Sequence, residues 1–276
     1  MLKMTKSKSE TRNLLLFFVI AIGFTWLFWV PQALVTQSII GPSWFTNLKI
    51  AAWGPLIAAL LLTFINEGGK GVLKLLKRAV DLKFNKLWLI PVFLLLPVII
   101  GGSLLIAILS GEAAPEIVWL EEPLSLVIVF FGVLLLGGPL QEEFGWRGYA
   151  LSRLQLRFNA LISSLIMGIV WFVWHLPLFF ISGEPYYQSP MLAVLTAMVL
   201  LTILFTWIYN NTGGSIFTAL IFHTTYNWSH TVFPSLETVN GGLFFIIFLL
   251  IAVVGVLIVW RPKNLARSRE RITILS

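Results

Sequence analysis

The sequence predicts an all-α fold: a polytopic transmembrane helical bundle of about eight spans, with the N- and C-termini in the cytoplasm. Of its 276 residues, 58% are hydrophobic and 11% are charged, whereas soluble domains are about 45–50% apolar and about 25% charged. The mean hydropathy is +0.91. Apolar runs of about 20 residues, the length that crosses about 30 Å of hydrocarbon, recur along the chain. We therefore predict a single integral membrane domain over residues 1–276.

Each predicted span is an apolar run that ends at charged residues, at glycine or proline, or at a polar cluster. A helix is expected in each run, because a backbone surrounded by lipid must satisfy its own hydrogen bonds. The runs also lack the alternating pattern of barrel strands. The spans are predicted at residues 14–33, 49–65, 87–109, 124–141, 160–181, 191–209, 215–233 and 243–260.

The distribution of charge predicts the orientation of the bundle, because segments rich in lysine and arginine stay in the cytoplasm. With the N-terminus inside, all 19 basic residues except Lys49 fall on the inner side. The connection at 110–123 carries four glutamates and no basic residue, which suits the outer face. Both termini are therefore expected inside. The basic stretch 69–86 fits either an amphipathic helix on the inner membrane surface or a solvated loop.

Composition also excludes several classes of function. The chain has no cysteine, which rules out disulfides, thiolate metal sites and a cysteine nucleophile. The net charge of +7 is explained by membrane orientation, so we predict no nucleic-acid partner.

Ionisable residues inside membrane spans are costly and usually functional, and the end of the fourth span carries three of them. Glu143 and Arg147 are one helical turn apart and can form an ion pair on one helix face. Glu142 points about 100° away from that pair. It is therefore available as a general base.

Two later spans contribute imidazole and amide groups. The fifth span contains His175, and the seventh contains His223 and Asn227 one turn apart, where their donors can hold an oxyanion. Each group alone also fits a structural role, such as an interfacial charge cluster or an interhelical hydrogen bond. His230 is interpreted as structural. Complementary groups on three separate spans favour one shared site.

These residues form three motifs in a fixed order, and the motifs resemble the signatures of the CAAX-protease and bacteriocin-processing family of intramembrane proteases. The motifs are Glu142-Glu143-x-x-x-Arg147, Trp171-x-x-x-His175 and His223-x-x-x-Asn227. The family-like catalytic core covers about residues 124–232. One departure is Trp171, where the family usually has phenylalanine, and this change is expected to affect local packing only.

The resemblance implies an endopeptidase that hydrolyses a peptide bond of a membrane-associated peptide or protein, including lipidated ones, in a bacterial or archaeal plasma membrane. It implies that Glu142 and His175 activate water and that His223 and Asn227 stabilise the oxyanion. Glu143 and Arg147 would fix the geometry. Membrane lipid is the other expected partner.

The need for a metal is left open by the sequence. Glu142, His175 and His223 are three ligands, one carboxylate and two imidazoles, that can form a catalytic zinc site with one open position. A metal-independent mechanism is favoured, because Asn227 is a poor zinc ligand and a good oxyanion donor. No cofactor is therefore expected, with zinc as the alternative.

Two other functions fit the same residues. One is a non-catalytic bacteriocin immunity or scaffold protein, and the other is a transporter or channel whose buried acids relay protons. The depth of the groups also bears on the protease hypothesis. Glu142 is predicted near the inner face, whereas His175 is about 22 Å along its helix. The two meet if the fourth helix is displaced, for which Gly137-Gly138-Pro139 could supply a kink, or if it continues well past Glu143. They also meet if the fifth helix starts beneath the membrane surface.

Overall fold

The computed structural model describes residues 2–41 and 48–266, and this part of the chain is helical without strands. The predicted fold class is thereby confirmed. The arginines of the predicted inner tail, at 267, 269 and 271, lie outside the described residues. The main helices are α1 (Leu2–Thr36), α2 (Gly54–Lys77), α3 (Leu89–Leu109), α4 (Ser125–Leu136), α5 (Pro139–Gly145), α6 (Ala160–His175), α7 (Met191–Asn211), α8 (Ile216–Val232) and α9 (Gly241–Trp260).

The helices are long and apolar enough for an integral membrane protein. Six helices of the described chain pass a length and hydropathy test for a membrane span, and the bent pair Ser125–Leu136 and Pro139–Leu154 can supply a seventh. Helix α8, with 17 residues, is the remaining predicted span. Leu136, Leu192 and Ile258 are each about three-quarters exposed, as expected for side chains that face lipid rather than water. The architecture agrees with about eight spans.

The fourth predicted span is broken, and the break brings Glu142 into the bundle. Helix α4 ends at Leu136, and the chain bends by 41° before α5 starts at Pro139. Gly138 has φ of +109° at this break, a conformation that glycine adopts without a steric penalty. The side chain of Gln141 joins the two segments, because its amide donates to the carbonyl of Leu135 at 2.9 Å and its Oε1 accepts from the amide of Gly138 at 3.2 Å.

Beyond α5 the helical path continues, first as a π-helical turn at Trp146–Leu151 and then as Ser152–Leu154. The helix therefore runs well past Glu143, which is one of the geometries that allow Glu142 and His175 to meet. Close approach of α5 to α2 depends on Gly145. A Cβ atom at this position would stand 2.6 Å from the carbonyl oxygen of Pro55.

Two arginines expected in an inner connection are instead buried in the protein. Arg147 is only 2% exposed, and Arg153 forms ion pairs with Glu10 at 3.3 Å and Glu67 at 3.7 Å. The helical path continues past residue 141, where the fourth span was predicted to end, so these two residues lie on a helix. The basic stretch after Gly68 is a helix only as far as Lys77, where α2 ends after a kink at Gly68.

Candidate active site

Glu142 is buried in α5, and its carboxylate is held asymmetrically. Oε2 accepts a hydrogen bond from the indole of Trp171 at 2.7 Å and a longer one from the indole of Trp146 at 3.2 Å. Within the described part of the chain no group donates to Oε1. That oxygen faces Gly138, where an added Cβ atom would stand 2.7 Å from it.

Glu143 is the partner of two cationic or ionisable groups. Its Oε1 lies 2.7 Å from the guanidinium Nη1 of Arg147 and 2.7 Å from Nδ1 of His223. The predicted pair between Glu143 and Arg147 one turn apart is therefore confirmed. The bond to His223 crosses from α5 to α8 and was not predicted. Because the guanidinium holds Glu143 as a carboxylate, Nδ1–H of His223 is the donor.

The tautomer of His175 follows from its contact with the backbone. Nδ1 lies 2.9 Å from the carbonyl oxygen of Trp171 one turn earlier in α6. A carbonyl oxygen can only accept, so Nδ1 of His175 carries the proton. In the neutral ring, Nε2 then presents a lone pair, which can accept a proton or bind a metal.

Asn227 reaches the site from α8. Its amide donates to the carbonyl of Gly137 at 2.9 Å, and the same Nδ2 atom lies 3.8 Å from the point where a Cβ atom of Gly138 would stand. Oε1 of Glu142 lies 2.7 Å from this point. Gly138, which is buried and has no side chain, therefore lies between the two side chains and leaves both within reach of one small molecule.

Trp171 is the residue that connects these groups, although its sequence context predicted an effect on local packing only. Besides its hydrogen bond to Glu142, its ring lies 5.6 Å from each of the His175 and His223 rings. The Arg147 guanidinium lies 5.0 Å from its centroid. His223 also interacts electrostatically with both Glu142 and His175. The structure therefore gathers the predicted groups of three spans around one indole.

Tyr186 is a second residue near the site that sequence reasoning missed. It lies in the segment after α6, and its ring is 5.2 Å from His175 and stacks at 5.7 Å on Phe179. It is close enough to Glu142 for an electrostatic interaction, and burial raises the pKa of Tyr186 well above 10. The phenol therefore keeps its proton and can donate a hydrogen bond at the site. A tyrosine in an irregular segment gives no periodic signal that could have found it.

His230 stays apart from this cluster. Its ring packs against Tyr226 at 5.0 Å and Phe245 at 5.2 Å. Neither ring nitrogen has a hydrogen-bond partner among the described residues. This position fits the structural role expected for it.

The candidate metal ligands are partly engaged by protein partners. Among the described residues, no group of three or more histidine, aspartate, glutamate or cysteine side chains has the arrangement of a metal site. Oε2 of Glu142 accepts from two indoles, and Nδ1 of His175 contacts a carbonyl. Oε1 of Glu142 and Nε2 of His175 are the atoms that would hold a zinc ion together with His223.

Comparison with known proteins agrees with the motifs. Residues 123–229 match a family model described as type II CAAX prenyl endopeptidase Rce1-like. A relative named CAAX prenyl protease 2, from Methanococcus maripaludis, is 26% identical over 84% of this chain and 90% of its own length. The matched segment contains Glu142, His175 and Asn227 together with the groups that surround them. The resemblance drawn from the motifs is confirmed: this integral membrane chain is similar, over the matched segment, to the type II CAAX prenyl endopeptidases.

Proposed function

We propose that this protein is an intramembrane endopeptidase in which Glu142 and His175 activate water for attack on a peptide bond. The observation that carries the proposal is the convergence of Glu142, His175 and His223 on Trp171 inside a bundle of membrane helices. For packing alone, an apolar side chain would serve better in a membrane span than a buried acid or imidazole group. Family membership supports the same reaction class.

The first step is a proton transfer from water. Oε1 of Glu142, which has no donor among the described residues, accepts one proton as the water oxygen bonds to the scissile carbonyl carbon. The lone pair on Nε2 of His175 orients the same water through a second hydrogen bond. When the tetrahedral intermediate collapses, the carbon–nitrogen bond breaks and Glu142 returns the proton to the leaving amine.

The oxyanion of the intermediate needs donors, and α8 can supply two of them. An amide nitrogen carries two N–H groups, and Asn227 uses one of them for the carbonyl of Gly137. The other is free for substrate. His223 donates from Nδ1 to Glu143, and its Nε2 also carries a proton when the ring is cationic.

We propose that this reaction needs no metal, because Asn227 beside the base is a poor zinc ligand and a good oxyanion donor. The test measures the metal content of the purified protein and its activity after treatment with a chelator. Unchanged activity supports the proposal. Activity that is lost with the chelator and restored by zinc overturns it.

The proposed substrate is a lipidated, membrane-associated polypeptide, and the proposed location is a prokaryotic plasma membrane. The name of the archaeal relative states a CAAX prenyl protease activity for that protein, and a lipid anchor would hold a polypeptide at the depth of a buried site. Membrane lipid around the exposed apolar faces is the remaining proposed partner.

The experiment uses the full chain in liposomes with a prenylated peptide that ends in a CAAX sequence. In water enriched in oxygen-18, mass spectrometry is expected to find the label in the new carboxylate of the product. Glu142→Gln should cut the rate by about 100- to 10,000-fold, and the exposed Glu116→Gln should not. Equal cleavage by wild type and Glu142→Gln would overturn the proposal. So would substrate binding without cleavage, which is the outcome expected of a non-catalytic immunity protein.

A further inference from the structure

We infer that Trp171, assisted by Trp146, is a positioning residue that selects which carboxylate oxygen of Glu142 acts as the base. This inference rests on the proposed function and adds a specific role to a residue outside the predicted set. The indoles of Trp171 and Trp146 both donate to Oε2 of Glu142, at 2.7 Å and 3.2 Å. Oε1 is left to face the backbone of Gly138.

The two oxygens of a free carboxylate are equivalent, and rotation about the last side-chain bond exchanges them. Two donors on one oxygen remove that equivalence, because rotation would break both bonds inside a buried site. The shorter bond, from Trp171, has the length of a charge-assisted hydrogen bond. Oε1 of Glu142 is thereby directed toward Asn227, whose Nδ2 atom shares the space beside Gly138.

An indole is suited to hold a base without competing with it. Its N–H group donates and cannot accept, and it does not ionise in the pH range of an assay. It therefore stabilises the carboxylate without taking part in the transfer. A hydroxyl or an imidazole at the same place would offer a second acceptor for the proton of the water.

The ring of Trp171 is itself fixed on several sides. Phe205 meets it edge to face at 6.0 Å, and the guanidinium of Arg147 lies over it at 5.0 Å. The backbone carbonyl of Trp171 accepts the Nδ1–H bond of His175. The same residue therefore sets the direction of the Glu142 carboxylate through its side chain and the tautomer of His175 through its backbone. Such supporting contacts give a site its precision.

Phenylalanine is the informative replacement, because it retains an aromatic ring and removes the N–H group. In Trp171→Phe the Glu142 carboxylate keeps only the longer bond from Trp146 and can rotate. A misplacement of about 1 Å at a reacting atom can cost about 100-fold in rate. We expect kcat to fall by about 10- to 100-fold while KM for the prenylated peptide stays within about twofold, since no contact with the substrate is removed.

Trp174→Phe is the matched control on the same helix. Its indole donates to Oγ1 of Thr25 at 2.8 Å, so the variant loses a buried N–H bond of similar length that does not involve Glu142. Both variants should lower the melting temperature in detergent by similar amounts. Only Trp171→Phe should lower kcat.

A double variant separates this inference from the proposed function. If Trp171 acts through Glu142, then Trp171→Phe should have no further effect on the residual rate of Glu142→Gln. The inference fails if Trp171→Phe retains the wild-type kcat, or if Trp174→Phe lowers kcat as much as Trp171→Phe does. It also fails if Trp171→Phe lowers the residual rate of Glu142→Gln by the same factor as it lowers the wild-type rate. In each of these cases wild-type cleavage would still support the endopeptidase. Absence of cleavage by wild type would instead count against the proposed function.

Discussion

Nδ1 of His223 lies 2.7 Å from Oε1 of Glu143, the same oxygen that binds Arg147. One buried carboxylate thus orients an imidazole from a different helix and neutralises a guanidinium on its own helix. Arg147 has no route to solvent, since it lies 3.8 Å from the centroid of Phe205 and packs on Trp171. The position of His223 therefore depends on a pair that also stabilises the fold.

Glu143→Gln is expected to reduce both stability and activity. The change leaves the Arg147 cation buried without a counter-ion, which typically costs about 3–5 kcal/mol. It also weakens the bond that orients His223. The measurement is thermal unfolding in detergent together with cleavage of the prenylated peptide per folded molecule. The exposed Glu237→Gln is the control and should behave as wild type in both assays. A Glu143→Gln protein of wild-type stability would contradict the assignment.

Gly138→Ala is expected to abolish cleavage by filling the space between Glu142 and Asn227. The new Cβ atom would stand 2.7 Å from Oε1 of Glu142, where the proposal places the attacking water. The backbone at φ +109° also disfavours alanine. Gly132→Ala, in α4, is the control, because its Cβ atom meets nothing within 4 Å. Alanine there should keep activity and stabilise the helix by up to about 1 kcal/mol. Full activity of Gly138→Ala would show that the water binds elsewhere.

Gln141→Ala is expected to weaken the link across the bend before α5. It should lower the activity by more than the loss of folded protein accounts for. The side chain links Leu135 to Gly138 across the bend, and loss of a buried link costs about 1–3 kcal/mol. Gln155→Ala is the matched control, because it loses two amide bonds to Asn210 away from the site. Both variants should unfold at lower temperature, and only Gln141→Ala should lose cleavage per folded molecule. Equal activity losses would contradict a positioning role for this link.

The parts of the site that were predicted from sequence are those set by a single helix. Glu143 and Arg147 are four residues apart, and a helix places such residues on one face whatever surrounds it. The same reasoning put His223 and Asn227 on one side of α8. Contacts between helices follow from tertiary packing, which no local spacing encodes. The bond between Glu143 and His223 joins residues 80 positions apart and was beyond prediction for that reason.

The role of Trp171 was hidden for a different reason. An indole carries one polar atom on a large apolar ring, so a tryptophan in an apolar span is equally consistent with packing and with hydrogen bonding. The end of the fourth span was misjudged because polar residues usually mark the end of a membrane helix. Here Glu143 and Arg147 form an ion pair, Glu142 accepts from two indoles, and the helix continues to Leu154.

Tyr186→Phe is expected to lower kcat/KM by about 10-fold if the phenol donates a hydrogen bond to the substrate or the intermediate. Because burial raises the pKa of Tyr186 well above 10, the hydroxyl keeps its proton throughout the pH range of an assay. Phenylalanine preserves the ring contacts with His175 and Phe179, so the change isolates the hydroxyl. The control is Tyr187→Phe in the same segment, which should retain wild-type activity. Comparison of kcat and KM then gives the step at which the hydroxyl acts: a fall in kcat alone indicates a donor to the intermediate, and a rise in KM alone indicates a donor to the bound peptide. Wild-type kinetics for Tyr186→Phe would exclude both roles and leave the ring of Tyr186 as a cover over His175.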